Sequence, residues 1–303
     1  TNGVALASKE FCQKLADAGV NEVRLSIESL DREQAKTMGS GEFFDPKVRA
    51  IENLHDLGIT VSLSPTIFRD LNEDQIVACI EYAKDKPCIR SVGANGFAWV
   101  GGGRRMPQSH MIMPDEMMDT LCKRYLPENR EDAFTFQKAL IAVMQLVGIR
   151  LCLYTQLMLF FRSKTGMVPL THFLNMKRLK KGMTWWERFA KSGRLVQSAT
   201  LFLVLAFSSR LRAAVLTRDV LSLLMANLFQ VRISRYPSRL FPVTMNTNCS
   251  VLSLDTSVGV RCMSKFLLMD QGELKLGIGT RGLLDIERRA IQQGSEKEIG
   301  EVE

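Results

Sequence analysis

The first hundred residues alternate strand-like and helix-like stretches, and that alternation constrains the fold more than any other feature of the chain. Ser8 is placed to cap a helix carrying Phe11, Leu15 and Ala18, which stops at Gly19. Glu22 to Ile27 reads as a strand. Asp45-Pro46 starts a second helix with Val48, Ile51, Leu54 and Leu57 at helical spacing, and Gly58 ends it. Ile59 to Ile67 predicts the next strand. Asn72 to Asp74 opens a helix with Ile76 and Ile80 on one face, and Ile89 to Phe97 predicts a further strand before Gly101–Gly103. Strands recurring at roughly 30 to 40 residues, each followed by a helix, predict parallel βα units. Right-handed crossovers place the helices on one side of such a sheet or barrel, and ligands collect at the C-terminal strand ends. Those ends hold Thr1-Asn2-Gly3, Ser26 to Glu28, Thr66 to Arg69, and Asn95-Gly96. They are polar, small or charged just where each strand runs out.

A chain of 303 residues suits one large barrel or two domains. Its 46% hydrophobic and 24% charged residues exclude disorder and collagen-like repeats. Residue 1 is Thr and no basic-then-apolar leader precedes Phe11, so the expectation is a piece of a longer protein without a signal peptide. The cysteines are scattered and odd in number, with no CxxC pair. A reducing, cytoplasmic setting fits them better than a disulfide framework. Cys12, Cys79 and Cys122 sit on apolar helical positions and read as small buried hydrophobes. His55, His110 and His172 form no HxH or HExxH spacing. Phosphate-loop, nucleophile-elbow and dinucleotide glycine motifs are absent as well.

Past Pro107 the pattern turns helical, with helices expected over Pro114 to Tyr125, Glu131 to Arg150 and Leu151 to Arg162. The apolar run from Ala139 to Phe161 contains Arg150 near its centre, which argues against a membrane span and for a buried helix pair broken near Gly148. Ala199 to Phe207 and Ala213 to Phe229 are further apolar stretches, each short of the ~20 residues that a span needs. Lys177 to Arg239 holds 13 basic residues against 2 acidic ones, a charge of +11 in a chain whose total is +8. The bland reading is a solvated helical face. The sharper reading is peripheral docking of 177–239 on an anionic membrane, because Trp185, Trp186 and Phe189 interleave with the charges. Nucleic acid ranks third, since no binding module for it is present.

The segments TNG, GVNEVRLSIES, FDPKVRAIENLHDLGITVSLSPTIFRDLNEDQI and IRSVGANGFAWVGGGR, in that order, resemble the later half of a radical S-adenosylmethionine (radical SAM) core domain. The resemblance implies a partial (βα)6 TIM-like barrel and binding of S-adenosylmethionine beside a [4Fe–4S] cluster. It would place Thr1 and Asn2 near the methionine end of S-adenosylmethionine. Ser26 and Glu28 would contact its amino, carboxylate or ribose groups, Arg69 its carboxylate, and Asn95 with Gly101–Gly103 its adenosine. A guanidinium fork suits a carboxylate; the competing reading of Arg69 is a surface salt bridge to Asp70 or Glu73. The family's CxxxCxxC cluster loop does not occur in this chain, so its thiolates are expected in a preceding segment and the chain alone should not cleave S-adenosylmethionine.

The tail from Arg239 to Gly277 resembles that of lipid-modifying radical SAM enzymes such as tetraether-forming synthases. The likeness rests on Leu254-Asp255, Cys262 and Asp270 to Leu274. The last cysteine of that pattern is absent, so Cys249 and Cys262 read as structural thiols before auxiliary cluster ligands.

The sequence therefore predicts an α/β fold: a partial (βα)6 barrel of parallel strands over 1–105, a helical basic and apolar region over 106–240, and a small α+β segment with an acidic tail over 241–303. The expected function is that of a radical SAM enzyme fragment. Its parent would generate a 5′-deoxyadenosyl radical acting on a hydrophobic substrate, a lipid being the suspected class. The alternative is a non-catalytic membrane-surface or partner-binding protein with a degenerate barrel.

Overall fold

A computed structural model of the chain describes residues 1–97, 106–127, 129–146, 155–163, 166–189, 191–209 and 240–247, and the backbone of 265–270 and 273–278. The centre of the fold is a seven-stranded sheet. Strands β1 (Glu22–Ser26), β2 (Thr60–Ser64), β4 (Ile89–Gly96) and β7 (Leu240–Thr247) lie side by side and parallel. The two-residue β3 (Thr66–Ile67) continues the line of β2 and pairs with the end of β4. Pro65 separates them: it has no N–H to give the ladder, while its carbonyl accepts from the Asn95 amide at 2.9 Å. β5 (Gln156–Ser163) runs antiparallel to β7, and β6 (Gly166–Pro169) antiparallel to β5. A separate antiparallel pair, β8 (Lys265–Asp270) and β9 (Glu273–Ile278), stands outside this sheet.

The helices between the parallel strands form where caps and apolar spacing agree. Helix α1 (Lys9–Asp17) starts at Ser8, whose hydroxyl accepts from the Phe11 amide at 3.3 Å. Helix α2 (Arg32–Thr37) was not anticipated. It is a six-residue helix, too short for a periodic apolar stripe, set by Asp31 accepting from the Gln34 amide at 2.8 Å. Helix α3 (Phe44–Asp56) begins just before the expected Asp45-Pro46 and ends at Gly58, whose φ of 68° lies in the left-handed region. Helices α4 (Gln75–Lys84) and α5 (Pro114–Tyr125) match the expected pattern. Ile51, Leu54, Ile76, Ile80, Met117 and Leu121 from these helices seal one face of the sheet, each fully buried.

The second half differs from expectation in the strands β5 and β6. The helix anticipated over Leu151 to Arg162 is instead the strand β5. Met158 and Phe160 enter the main core beside Val243 and Phe241, while Leu159 and Phe161 pack on the opposite side against a second core. With apolar partners on both sides, this strand carries no alternation to read. The second core is built by α6 (Arg130–Leu146), α7 (Met176–Trp186) and α8 (Arg194–Ser208) around Phe136, Leu179, Met183, Leu201 and Val204. Most described residues of the region are helical, but it contributes β5 and β6 to the sheet. The sheet also crosses the boundaries expected at 105 and 240, since β7 pairs directly with β4.

Outward, α8 exposes Leu195, Phe202 and Phe207 at 88%, 71% and 72%. No helix among the described residues is long and apolar enough to cross a membrane. Gly101–Gly103, Gly148, Ala213 to Phe229, Cys152, Cys249, Cys262 and the acidic tail lie outside the described residues.

Candidate functional site

The face of the parallel sheet turned away from α1, α3 and α4 is polar. On adjacent strands it presents Arg24 and Ser26, then Ser62 and Ser64, then Ser91, Gly93 and Asn95, then Thr244 and Asn246. These groups bond to one another across the strands. Ser91 Oγ donates to Ser62 Oγ at 2.7 Å, Asn95 Nδ2 to Ser64 Oγ at 2.9 Å, and Ser64 Oγ to the Gly93 carbonyl at 3.2 Å. Arg24 reaches across β2, with Nε donating to Ser64 Oγ at 3.1 Å and Nη2 to the Gly93 carbonyl at 3.4 Å. At the far side Thr155 Oγ1 donates to Asn246 Oδ1 at 2.7 Å.

The C-terminal ends of these strands form a rim, and the residues singled out from sequence lie along it. Thr1 sits beside β1: its amino group donates to the Arg24 carbonyl at 3.0 Å, and its own carbonyl accepts from the Ser26 amide at 2.9 Å. Thr1 Oγ1 and Asn2 Oδ1 accept from the amides of Gly3 and Val4, so both side chains shape the turn that follows. Ser26 Oγ and Asn95 Oδ1 make no hydrogen bond among the described residues and remain free for a ligand.

Glu28 and Arg69 are already partnered. Glu28 Oε2 accepts from Lys47 Nζ, which is 94% buried at its side chain. Arg69 Nη2 donates to both carboxylate oxygens of Glu116, at 2.7 and 2.6 Å. The ion pair foreseen for Arg69 with Asp70 or Glu73 is therefore made with Glu116, at the first turn of α5. Asp70 has φ 62°, a conformation that costs a non-glycine residue energy and is held by its surroundings. Those surroundings are explicit. The Arg69 amide donates to the His110 carbonyl at 2.9 Å, and His110 Nδ1 lies 2.8 Å from the Arg69 carbonyl. Fully buried Asn72 joins two loops: Nδ2 donates to the carbonyls of Glu28 and Thr66 at 2.8 and 2.9 Å, and Oδ1 accepts from the Phe68 amide at 2.7 Å.

Sequence reasoning missed Arg24, Lys47, Ser64, Asn72, Glu116 and Asn246. Arg24, Ser62 and Ser64 had a usable signal, the polar positions of VRLS and VSLS. The partners of Glu28 and Arg69 had none, since each comes from a distant helix.

The N-terminal ends of the strands are built differently. Arg162 lies over the Phe241 ring at 5.3 Å and donates from Nη2 to the Ile89 carbonyl at 2.6 Å. Burial and the neighbouring Arg90 pull its pKa down to about 10. Among the described cysteines, burial pushes Cys79 up to about 12 and Cys122 up to about 11, and raises Cys12 and Cys88 as well. Cys12, Cys79 and Cys122 are thus the buried small residues expected. A cluster ligand must be a thiolate, and the described residues contain no group of side chains able to hold a metal ion. They do not fit an iron–sulfur cluster. The free Ser26 and Asn95 oxygens on a rim with a guanidinium do fit the polar groups of S-adenosylmethionine.

Residues 1–83 match the family model of the radical SAM superfamily. A GTP 3′,8-cyclase of Campylobacter jejuni is 31% identical over 86 residues, covering 28% of this chain and 26% of that protein. A GTP 3′,8-cyclase of Nautilia profundicola is 26% identical over 125 residues, 41% of this chain and 37% of that protein. A molybdenum cofactor biosynthesis protein of Caenorhabditis elegans is 29% identical over 126 residues, 41% of this chain and 20% of that protein. The chain thus spans between a fifth and two fifths of the length of these curated relatives. The family match ends at residue 83, and it lends nothing to the likeness of the tail to lipid-modifying enzymes.

Proposed function

We propose, from the radical SAM match over residues 1–83, that this chain supplies the S-adenosylmethionine-binding half of a radical SAM enzyme's barrel. One observation supports the reading: Thr1 beside β1, Ser26 at the end of β1 and Asn95 near the end of β4 all lie toward the C-terminal edge of the parallel strands, with Arg69 two residues past β3. In this reading Ser26 and Asn95 offer their free oxygens to the ligand, Thr1 and Asn2 shape the wall beside β1, and Arg69 presents N–H groups not spent on Glu116. Glu28 acts through Lys47 as a support of the loop after β1. S-adenosylmethionine held here would supply a hydrogen-abstracting 5′-deoxyadenosyl radical, releasing methionine, on accepting one electron from a [4Fe–4S] cluster that the described residues do not hold. The cluster thiolates are assigned to residues outside this chain, and no step is placed on its own cysteines. The sheet face behind the rim is lined by Ser, Thr, Asn and Arg, which supports a polar substrate over the hydrophobic or lipid one expected from sequence.

Equilibrium dialysis of radiolabelled S-adenosylmethionine against the chain tests the reading. Binding that weakens about tenfold in Arg69→Ala is the expected result, the loss of one charge-assisted contact. Absence of binding by the unsubstituted chain overturns it and turns attention to the exposed apolar stripe of α8.

A further inference from the structure

We infer that Arg24 is an oxyanion anchor, holding a phosphate or carboxylate group of the substrate on the polar face behind the rim. The inference rests on the reading of the rim as the cofactor site and adds to it the charge of the second ligand.

Arg24 is exposed, yet its orientation is fixed. Its Nε donates to Ser64 Oγ at 3.1 Å and its Nη2 to the Gly93 carbonyl at 3.4 Å. These two bonds span β2 and lay the guanidinium flat along the sheet. They leave the two N–H groups of Nη1 and one of Nη2 unspent, on the edge of the planar fork that suits an oxyanion. No ion pair joins Arg24 to any described carboxylate, Glu22 on the same strand and face included. Gly93 makes the arrangement possible. A Cβ there would stand 2.9 Å from Arg24 Nη2 and 3.4 Å from Thr244 Oγ1. Thr244 borders the same space, and its hydroxyl can donate a further hydrogen bond to an anion held on the fork. A surface arginine that only kept an edge strand soluble would need neither the two cross-strand bonds nor a glycine beneath its head.

The test is calorimetric titration of the full chain with inorganic pyrophosphate in one arm and succinate in the other, at low and at raised salt. Saturable binding in at least one arm, weakening with salt, is expected, and the arm that binds identifies the oxyanion. Arg24→Gln should lower affinity at least about tenfold. Gly93→Ala keeps the charge but displaces the guanidinium, and should also weaken binding several-fold. Thermal unfolding of each variant confirms that it is folded. No binding in either arm, or equal binding by the unsubstituted chain and both variants, overturns the proposal. Dialysis of S-adenosylmethionine against Arg24→Gln separates the two readings. Oxyanion binding lost with S-adenosylmethionine binding kept supports both, whereas oxyanion binding by a chain that never binds S-adenosylmethionine leaves the anchor standing and sinks the cofactor site.

Discussion

On one face of β1, β2, β4 and β7 the side chains are Leu25, Val61, Leu63, Val92, Val243 and Met245, all fully buried. On the other face the same strands present Arg24, Ser62, Ser64, Ser91, Asn95 and Thr244. Parallel sheets are usually apolar on both faces because helices cover both. Here the helices between strands cover only one, and cross-strand hydrogen bonds satisfy the other. The difference divides the labour: apolar burial holds the strands together, and the polar face is left with donors and acceptors to spend on a ligand.

The strongest way to break that comparison is Leu63→Ala. Deleting a fully buried side chain under α3 and α4 should cost about 2–5 kcal/mol in urea unfolding. Ser62→Ala, one residue away on the other face, should cost about 1 kcal/mol. Equal losses would mean that both faces carry the fold. A middle-sized effect is expected at Gly96→Ala, because a Cβ there would stand 2.5 Å from the Ile112 carbonyl oxygen, a backbone atom with little room to yield. The strain should cost about 1–3 kcal/mol by thermal unfolding, and an unchanged midpoint would show that the segment before α5 packs loosely on the rim. The smallest effect sharpens the polar side alone. A double-mutant cycle on Ser62 and Ser91 should give a coupling of about 0.5–1 kcal/mol for their 2.7 Å bond. Zero coupling would mean that this cross-strand bond adds no net stability.

Much of the apolar face was legible in sequence because its code is local. VRLS, TVSLS and the spacing of Val48, Ile51 and Leu54 each reveal a face without reference to anything distant. The rim was legible in position, since strand ends follow from strands. Its partners were not. Lys47 on Glu28 and Glu116 on Arg69 come from helices whose charged residues look like any solvated face. Asn72 reads as the start of a helix and instead fastens three backbone groups. Strand β5 reads as a helix for a physical reason as well: packed between two cores, it offers no alternation, and an apolar run of that length suits a helix equally.

The pairing of Val92 with Val243 has a consequence in time. The chain between them is about half of the sequence, and at about 5–20 residues per second a ribosome takes roughly eight to thirty seconds to make it. Throughout that interval β1, β2 and β4 are present while one side of β4 awaits its neighbour, an open edge able to recruit other extended chains. Long-range parallel pairing is also slow to form once the neighbour exists. The strand that completes the sheet is thus among the last described segments to be synthesised, and the yield of folded protein depends on how well β4 is shielded until Leu240 to Thr247 arrives.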